Sequence, residues 1–167
     1  MGDGNWQVSV AEGGRLAARW WKWALSAPQE ESPVADTTGA YAGRRQPGDV
    51  WFLAGTYGGR VVRRCDVPTG RPLFFPVLNT RRPAVPFLTK PLRLETTRAS
   101  AALNGSPLPL REFTSKPFPA LGIPQVAWGL WCALDPLPAG QFVLEIDAAA
   151  ADGFRVDTTY HLTVTAP

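Results

Sequence analysis

The residues able to do bond-making chemistry are few. The chain has one histidine, His161, and two cysteines, Cys65 and Cys132. The cysteines lack CxxC or Cys/His spacing, which argues against a structural zinc. Each lies in an apolar, strand-like run, RVVRRCDV or VAWGLWCAL. Both are therefore expected to be buried, reduced thiols, with a disulfide between neighbouring strands as the alternative. A Ser/His/Asp triad would depend on His161 alone. Tyr160, Leu162 and Val164 alternate with Thr159, His161 and Thr163, which puts the imidazole on the wet face of a strand. The carboxylates most rigidly placed are Asp66, Glu95, Asp135, Glu145 and Asp157, each on or beside a predicted strand. Asp66, Glu95, Asp135 and His161 are the candidate acid–base residues, because paired carboxylates or an imidazole can exchange protons at neutral pH once burial separates their pKa values. No GxSxG elbow, P-loop, GxGxxG or HExxH is present, and no carboxylates cluster at metal-ligand spacing. No metal and no cofactor is expected.

Aromatic residues are the conspicuous excess, with seven Trp and eight Phe, more large rings than a core of this size readily absorbs. Trp20, Trp21, Trp23, Trp51 and Phe52 are the candidate ligand-binding residues, as the lining of an aromatic cleft. Adjacent helical residues diverge by about 100°, so Trp20, Trp21 and Trp23 cannot all share one direction, and at least one is expected to face an opening, a partner or solvent. In GDVWFLAGTYGGR, residues 48–60, strand alternation sends Trp51 and Phe52 to opposite faces. One belongs to the core and the other lies beneath the helix or in a cleft, so only one of the two rings can be a wall.

The elements that position these residues follow from periodicity. RLAARWWKWAL, 15–25, is the one convincing helix. Leu16, Trp20, Trp23 and Ala24 share a face opposite Arg15, Arg19 and Lys22. Ser9 and Glu12 have capping-box spacing, but Gly13 and Gly14 would then sit in the first turn, so the helix is expected to start near Gly14. Residues 28–47, rich in Pro, Gly and Thr, read as an irregular connection. Residues 48–164 hold short strands at 50–54, 60–67, 72–78, 92–97, 126–134, 142–146 and 158–164, separated by turn signals. Asn104-Gly105 marks a type I′ hairpin turn. The expected fold is one domain over 1–167, all-β: an antiparallel β-sandwich, jelly-roll or Ig-like, with an amphipathic Trp-rich helix at its N-terminus.

Composition sets limits on partners. Hydrophobic residues at 45% and charged residues at 19% support a packed core. The formal charge of +3 is spread over scattered arginines, which does not make a nucleic-acid surface. No apolar run approaches the ~20 residues of a membrane-spanning helix. MGDGNWQVSV has no basic region followed by an apolar one, so a cytoplasmic location is expected.

WWKWALSAP, GDVWFLAGTYGG, RRCDVPTGRPLFFPVLN, LDPLPAGQFVLEI and TTYHLTV, in that order, resemble an uncharacterised family of small bacterial proteins, mostly exported. The resemblance covers 20–79 and 128–164 and implies a β-sandwich rather than an activity.

Two functional readings come from different classes. One is a binding module with an aromatic-lined cleft for a small apolar or sugar-like ligand. The other is a cofactor-independent enzyme of the cyclase or isomerase type using the same pocket. A protein-interaction or structural module is a further alternative.

Overall fold

The computed structural model describes residues 4–166; Met1, Gly2 and Asp3, the start of the segment read for an export signal, and Pro167 lie outside the described residues. Helix α1 runs Val10–Leu25, and the Ser9 hydroxyl accepts the Glu12 N–H at 3.1 Å. The helix thus begins at the capping box and not near Gly14. Its two glycines are where it touches the sheet below. A Cβ on Gly13 would lie 2.3 Å from two Phe113 ring carbons, and one on Gly14 would lie 2.5 Å from the Thr114 carbonyl oxygen. Close approach there offsets the ~1 kcal/mol that each glycine costs a helix.

Ten strands follow: β1 Trp51–Phe52, β2 Gly59–Pro68, β3 Leu73–Pro83, β4 Thr96–Leu103, β5 Ser106–Pro107, β6 Arg111–Thr114, β7 Phe118–Ala120, β8 Ile123–Leu134, β9 Gly140–Ala150 and β10 Arg155–Thr165. They form two sheets. The first is ordered β1-β3-β8-β6, with β7 also on β8; the second is β2-β10-β9-β4-β5. Strand makes up 47% of the chain and helix 12%, an all-β, sandwich-like fold with one N-terminal helix. The central pairings are antiparallel, whereas β1 on β3 and β2 on β10 are parallel. A parallel neighbour needs a long connection, and the rest of the chain separates β2 from β10. The hairpin at Asn104-Gly105 forms as its sequence implies, with φ of 49° and 81°. The strand expected at 92–97 starts only at Thr96. Thr80 and Arg82 donate side-chain hydrogen bonds to the Leu92 and Lys90 carbonyls and hold the preceding residues as a loop.

Alternation along 50–54 divides the core into two layers. Trp51 and Leu53 face the layer between the sheets with Phe75, Trp128 and Tyr160. Val50, Phe52 and Ala54 face the layer beneath α1 with Trp20, Trp23, Phe74 and Trp131. The 28–47 connection covers the edge of β2, where Arg64 donates its N–H to the Thr38 carbonyl at 2.9 Å. Its shape is held by the Asp36 carboxylate, which accepts the N–H groups of Thr38, Gly39 and Tyr41 at 2.9, 2.8 and 3.2 Å. Partial burial alone would raise the Asp36 pKa, but these hydrogen bonds outweigh it and hold the group below its ordinary value. Both cysteines are free thiols, Cys65 on β2 and Cys132 on β8, in different sheets.

Candidate functional site

The candidate site is built where the loop after β1 passes between α1 and the sheets. Three carbonyls and a phenol fix that loop. Trp20 donates its indole N–H to the Leu53 carbonyl at 2.8 Å. Arg63, only 1% exposed, donates to the carbonyls of Ala54 at 3.0 Å and Gly55 at 2.8 Å and to the Tyr160 hydroxyl at 2.9 Å. The same guanidinium holds the 28–47 connection through the carbonyls of Val34 and Asp36 at 2.9 and 2.7 Å. Among the described residues no carboxylate pairs with it; carbonyl dipoles replace the counter-ion. Tyr160 in turn accepts the Ala54 N–H and donates to the Ala54 carbonyl. Burial pushes the Tyr160 hydroxyl above its ordinary pKa, so it serves as a neutral donor and acceptor.

Between these supports lies a cavity of about 60 Å³. Trp20 and Trp21 form the helix side, Gly55, Thr56 and Tyr57 one rim, and Asn79, Phe154 and Val156 the remainder, with Val34 from the connection. Tyr57 is 54% exposed at its mouth. The same mouth opens onto a shallow depression of about 260 Å³, which shares Val34, Thr56 and Tyr57 and continues over Ala35 and Thr37 to Arg60.

Several buried donors without acceptors gather here. The Trp21 indole N–H and the Asn79 amide NH₂ are buried without an acceptor, and both residues line the cavity. Arg81 Nε and the Trp131 indole N–H are also buried and unpartnered. The Arg81 guanidinium sits 5.4 Å from the Trp21 ring centroid. A Cβ on Gly129 would lie 2.6 Å from Trp131 Nε1 and 2.8 Å from Asn79 Cβ, so that glycine lets the ring and the amide come together. All four groups are donors. Each buried, unpaired donor costs about 1–3 kcal/mol. Trp51 and Trp128 also bury unpartnered indole N–H groups, but in the layer between the sheets.

Of the predicted aromatic residues, Trp20 and Trp21 line this cavity, whereas Trp23, Trp51 and Phe52 do not. Trp23 packs against Phe52 and donates to the Arg44 carbonyl at 2.9 Å. Trp20 and Trp21 meet the expected opening, the cavity, but no helix tryptophan faces bulk solvent: Trp20, Trp21 and Trp23 are 1%, 8% and 6% exposed. The helix lies in a trough, with β6, β7 and β8 beneath it and residues 34–54 rising beside it, so diverging rings all meet protein. From the segment 48–60 the residues that form a wall are Gly55, Thr56 and Tyr57, just beyond Trp51 and Phe52.

The predicted acid–base residues lie elsewhere. Asp66 and His161 share a shallow depression of about 380 Å³ on the outer face of the second sheet, with Arg64, Gln141 and Thr163. His161 lies opposite Arg64 and Val143, and Asp66 opposite Thr163. Although larger, this depression is open to solvent. Glu95 is exposed just before β4, and Asp135 follows β8, its N–H on the Gly4 carbonyl at 3.0 Å. Glu145 and Asp157 also face outward, Asp157 opposite Asp147, which is paired with Arg98 at 2.6 Å. Glu95 and Asp135 therefore do not converge with Asp66 and His161. Among the described residues no group of three or more His, Cys, Asp or Glu is placed to hold a metal ion.

Sequence reasoning missed Asn79 and Arg63. Asn79 follows the apolar run LFFPVL, just past a bulge between Pro76 and Leu78. Pro76 is the signal, since it cannot donate a ladder hydrogen bond. Arg63 was legible in the alternation Val61, Arg63, Cys65, Val67, which places it on the inward face. No helix of the described residues is long and apolar enough to cross a membrane. No family model matches the chain, and neither curated proteins nor solved structures give a match.

Proposed function

We propose that the protein binds a small, flat, largely apolar molecule carrying an oxygen acceptor, with the oxygen entering the cavity between Trp21 and Asn79 and the apolar body lying against Tyr57. The observation that carries this reading is the set of buried donors without acceptors, two of them on residues that line the cavity. A few polar groups placed in an apolar, pre-formed site are what fixes a ligand's orientation. The cavity lining has no carboxylate, imidazole, amine or thiol to move a proton, which favours binding over cyclase or isomerase chemistry at this place. The cavity's size favours a carbonyl or carboxylate group over a whole sugar ring.

Thermal shift read together with Trp emission, over aromatic carboxylates, cyclic ketones and simple sugars, tests it. A true ligand at a hundredfold excess over its Kd stabilises the fold by about 2.7 kcal/mol. Asn79→Asp supplies the cavity with its own anionic acceptor and is expected to abolish carboxylate binding while the protein stays folded. Asn79→Leu is expected to weaken both carboxylates and ketones. If no compound shifts the melt, or Asn79→Asp binds carboxylates as the wild type does, the proposal fails.

A further inference from the structure

Two turns stand side by side at one end of the first sheet. β3 runs into Val85-Pro86-Phe87-Leu88, closed by reciprocal backbone hydrogen bonds between Val85 and Leu88 at 3.1 and 2.8 Å. The β7–β8 turn carries Leu121 and Gly122 at its tip. It is held beside the first because Ala84 donates its N–H to the Pro124 carbonyl at 2.9 Å, and because Pro83 and Phe118 both lie opposite Gln125. Both turns carry apolar side chains into solvent: Phe87 is 90% exposed, Leu121 61%, Ile123 47% and Leu88 43%. Turn geometry does not require such residues, since polar ones satisfy tight turns better. Apolar groups gathered at one place on a surface mark a contact site.

The two segments that carry these turns hold charge of one sign. Residues 67–94 and 113–134, which contain both, include Arg82, Lys90 and Lys116 but no Asp or Glu. Among the described residues the ion pairs formed do not involve any of these three cations. Arg82 donates to the Lys90 carbonyl, which keeps its guanidinium beside the Phe87 turn.

We propose that the paired turns at Phe87 and Leu121 dock this protein on an anionic lipid bilayer. The apolar side chains enter the boundary between headgroups and acyl chains, and the flanking cations meet lipid phosphates and carboxylates. Projecting turns suit a soft, flat surface. A second copy of the chain is a poorer occupant, because a symmetric contact through the same patch would set Arg82, Lys90 and Lys116 against their own counterparts.

Vesicle co-sedimentation is the test, with phosphatidylcholine alone and with phosphatidylcholine plus phosphatidylserine. The wild type is expected to sediment with the mixed vesicles and not with the neutral ones. Lys90→Glu/Lys116→Glu is expected to weaken that binding about tenfold or more, and Phe87→Ser/Leu121→Ser to weaken it comparably. All four positions are exposed, so both variants are expected to melt like the wild type. Failure of the wild type to bind mixed vesicles overturns the proposal, as does a tip variant that binds undiminished. If the tip variant instead abolishes self-association of the protein alone, a second copy is the occupant and the lipid proposal is wrong.

Discussion

Cys132, completely buried on β8, retains its thiol proton because burial disfavours the thiolate; its pKa rises from 9.0 to about 12. Cys65 is pushed to the same range by burial, helped by the Asp66 carboxylate beside it. The sign of the pH effect follows. The unfolded chain releases the Cys132 proton near pH 9 and the folded chain near 12, so this contribution to stability is complete below pH 9 and is lost as pH rises through 12. Between those values the slope is about −1.4 kcal/mol per pH unit for one thiol. Urea melts of the wild type and Cys132→Ala from pH 8.5 upward should show the wild type losing stability more steeply. Parallel slopes would mean that Cys132 is not shielded. Native thiol titration should accordingly be slow. Placing Cys132 in an apolar strand was possible from sequence, because Trp131, Ala133 and Leu134 flank it, whereas Cys65 sits between Arg64 and Asp66 and its strand shows only in the alternation with Val61 and Val67. Arg63 required its strand to be seen edge-on, with four carbonyls and a phenol arriving from three other segments.

Helix α1 joins to the first sheet through rings and through an absence of side chains. Trp20 makes edge contacts with Trp21, Trp23 and Trp131 at centroid distances of 4.9, 6.1 and 5.7 Å. Both Trp20→Ala and Trp21→Ala are therefore expected to cost about 3–5 kcal/mol. The apolar helix face read from sequence, Leu16, Trp20, Trp23 and Ala24, leaves Trp21 out. Gly13→Ala is the more telling change. Alanine raises helix propensity by about 1 kcal/mol, yet here its methyl group would collide with the Phe113 ring. A lowered melting temperature for Gly13→Ala, restored when Phe113 is also shortened to Leu, is the expected result. Stabilisation by Gly13→Ala alone would show that helix and sheet are further apart than described.

The molecule as a whole is three layers: helix, first sheet, second sheet. Its exposed strand edge is managed by the irregular connection. β2 is paired on one side only, with β10, and its other side is met by residues 36–41. Gly39, with φ of 95°, packs so tightly on the Arg64 backbone that a Cβ there would overlap the carbonyl. Gly39→Val should lift the connection from β2 and leave a ten-residue edge open to pairing with another chain. Faster hydrogen exchange of the Arg64 amide, together with concentration-dependent aggregation, is the expected readout. An unchanged Arg64 exchange rate would show that the connection does not protect the edge.

Local rules were enough for elements whose partners are near in sequence or whose side chains repeat with a clear period. The α1 aromatic face, the Asn104-Gly105 hairpin, the outward direction of His161 and the opposite directions of Trp51 and Phe52 are all of this kind, because each depends on neighbours within a few residues. Tertiary structure alone decided the rest. It put β2 parallel to β10, buried all three helix tryptophans in a trough and folded glycines into the first turn of α1. It also moved the cavity wall from Trp51 and Phe52 to Gly55, Thr56 and Tyr57 and set Asn79 against Trp21. Those outcomes depend on contacts between residues tens of positions apart, and a side chain's direction carries no information about what will be waiting there.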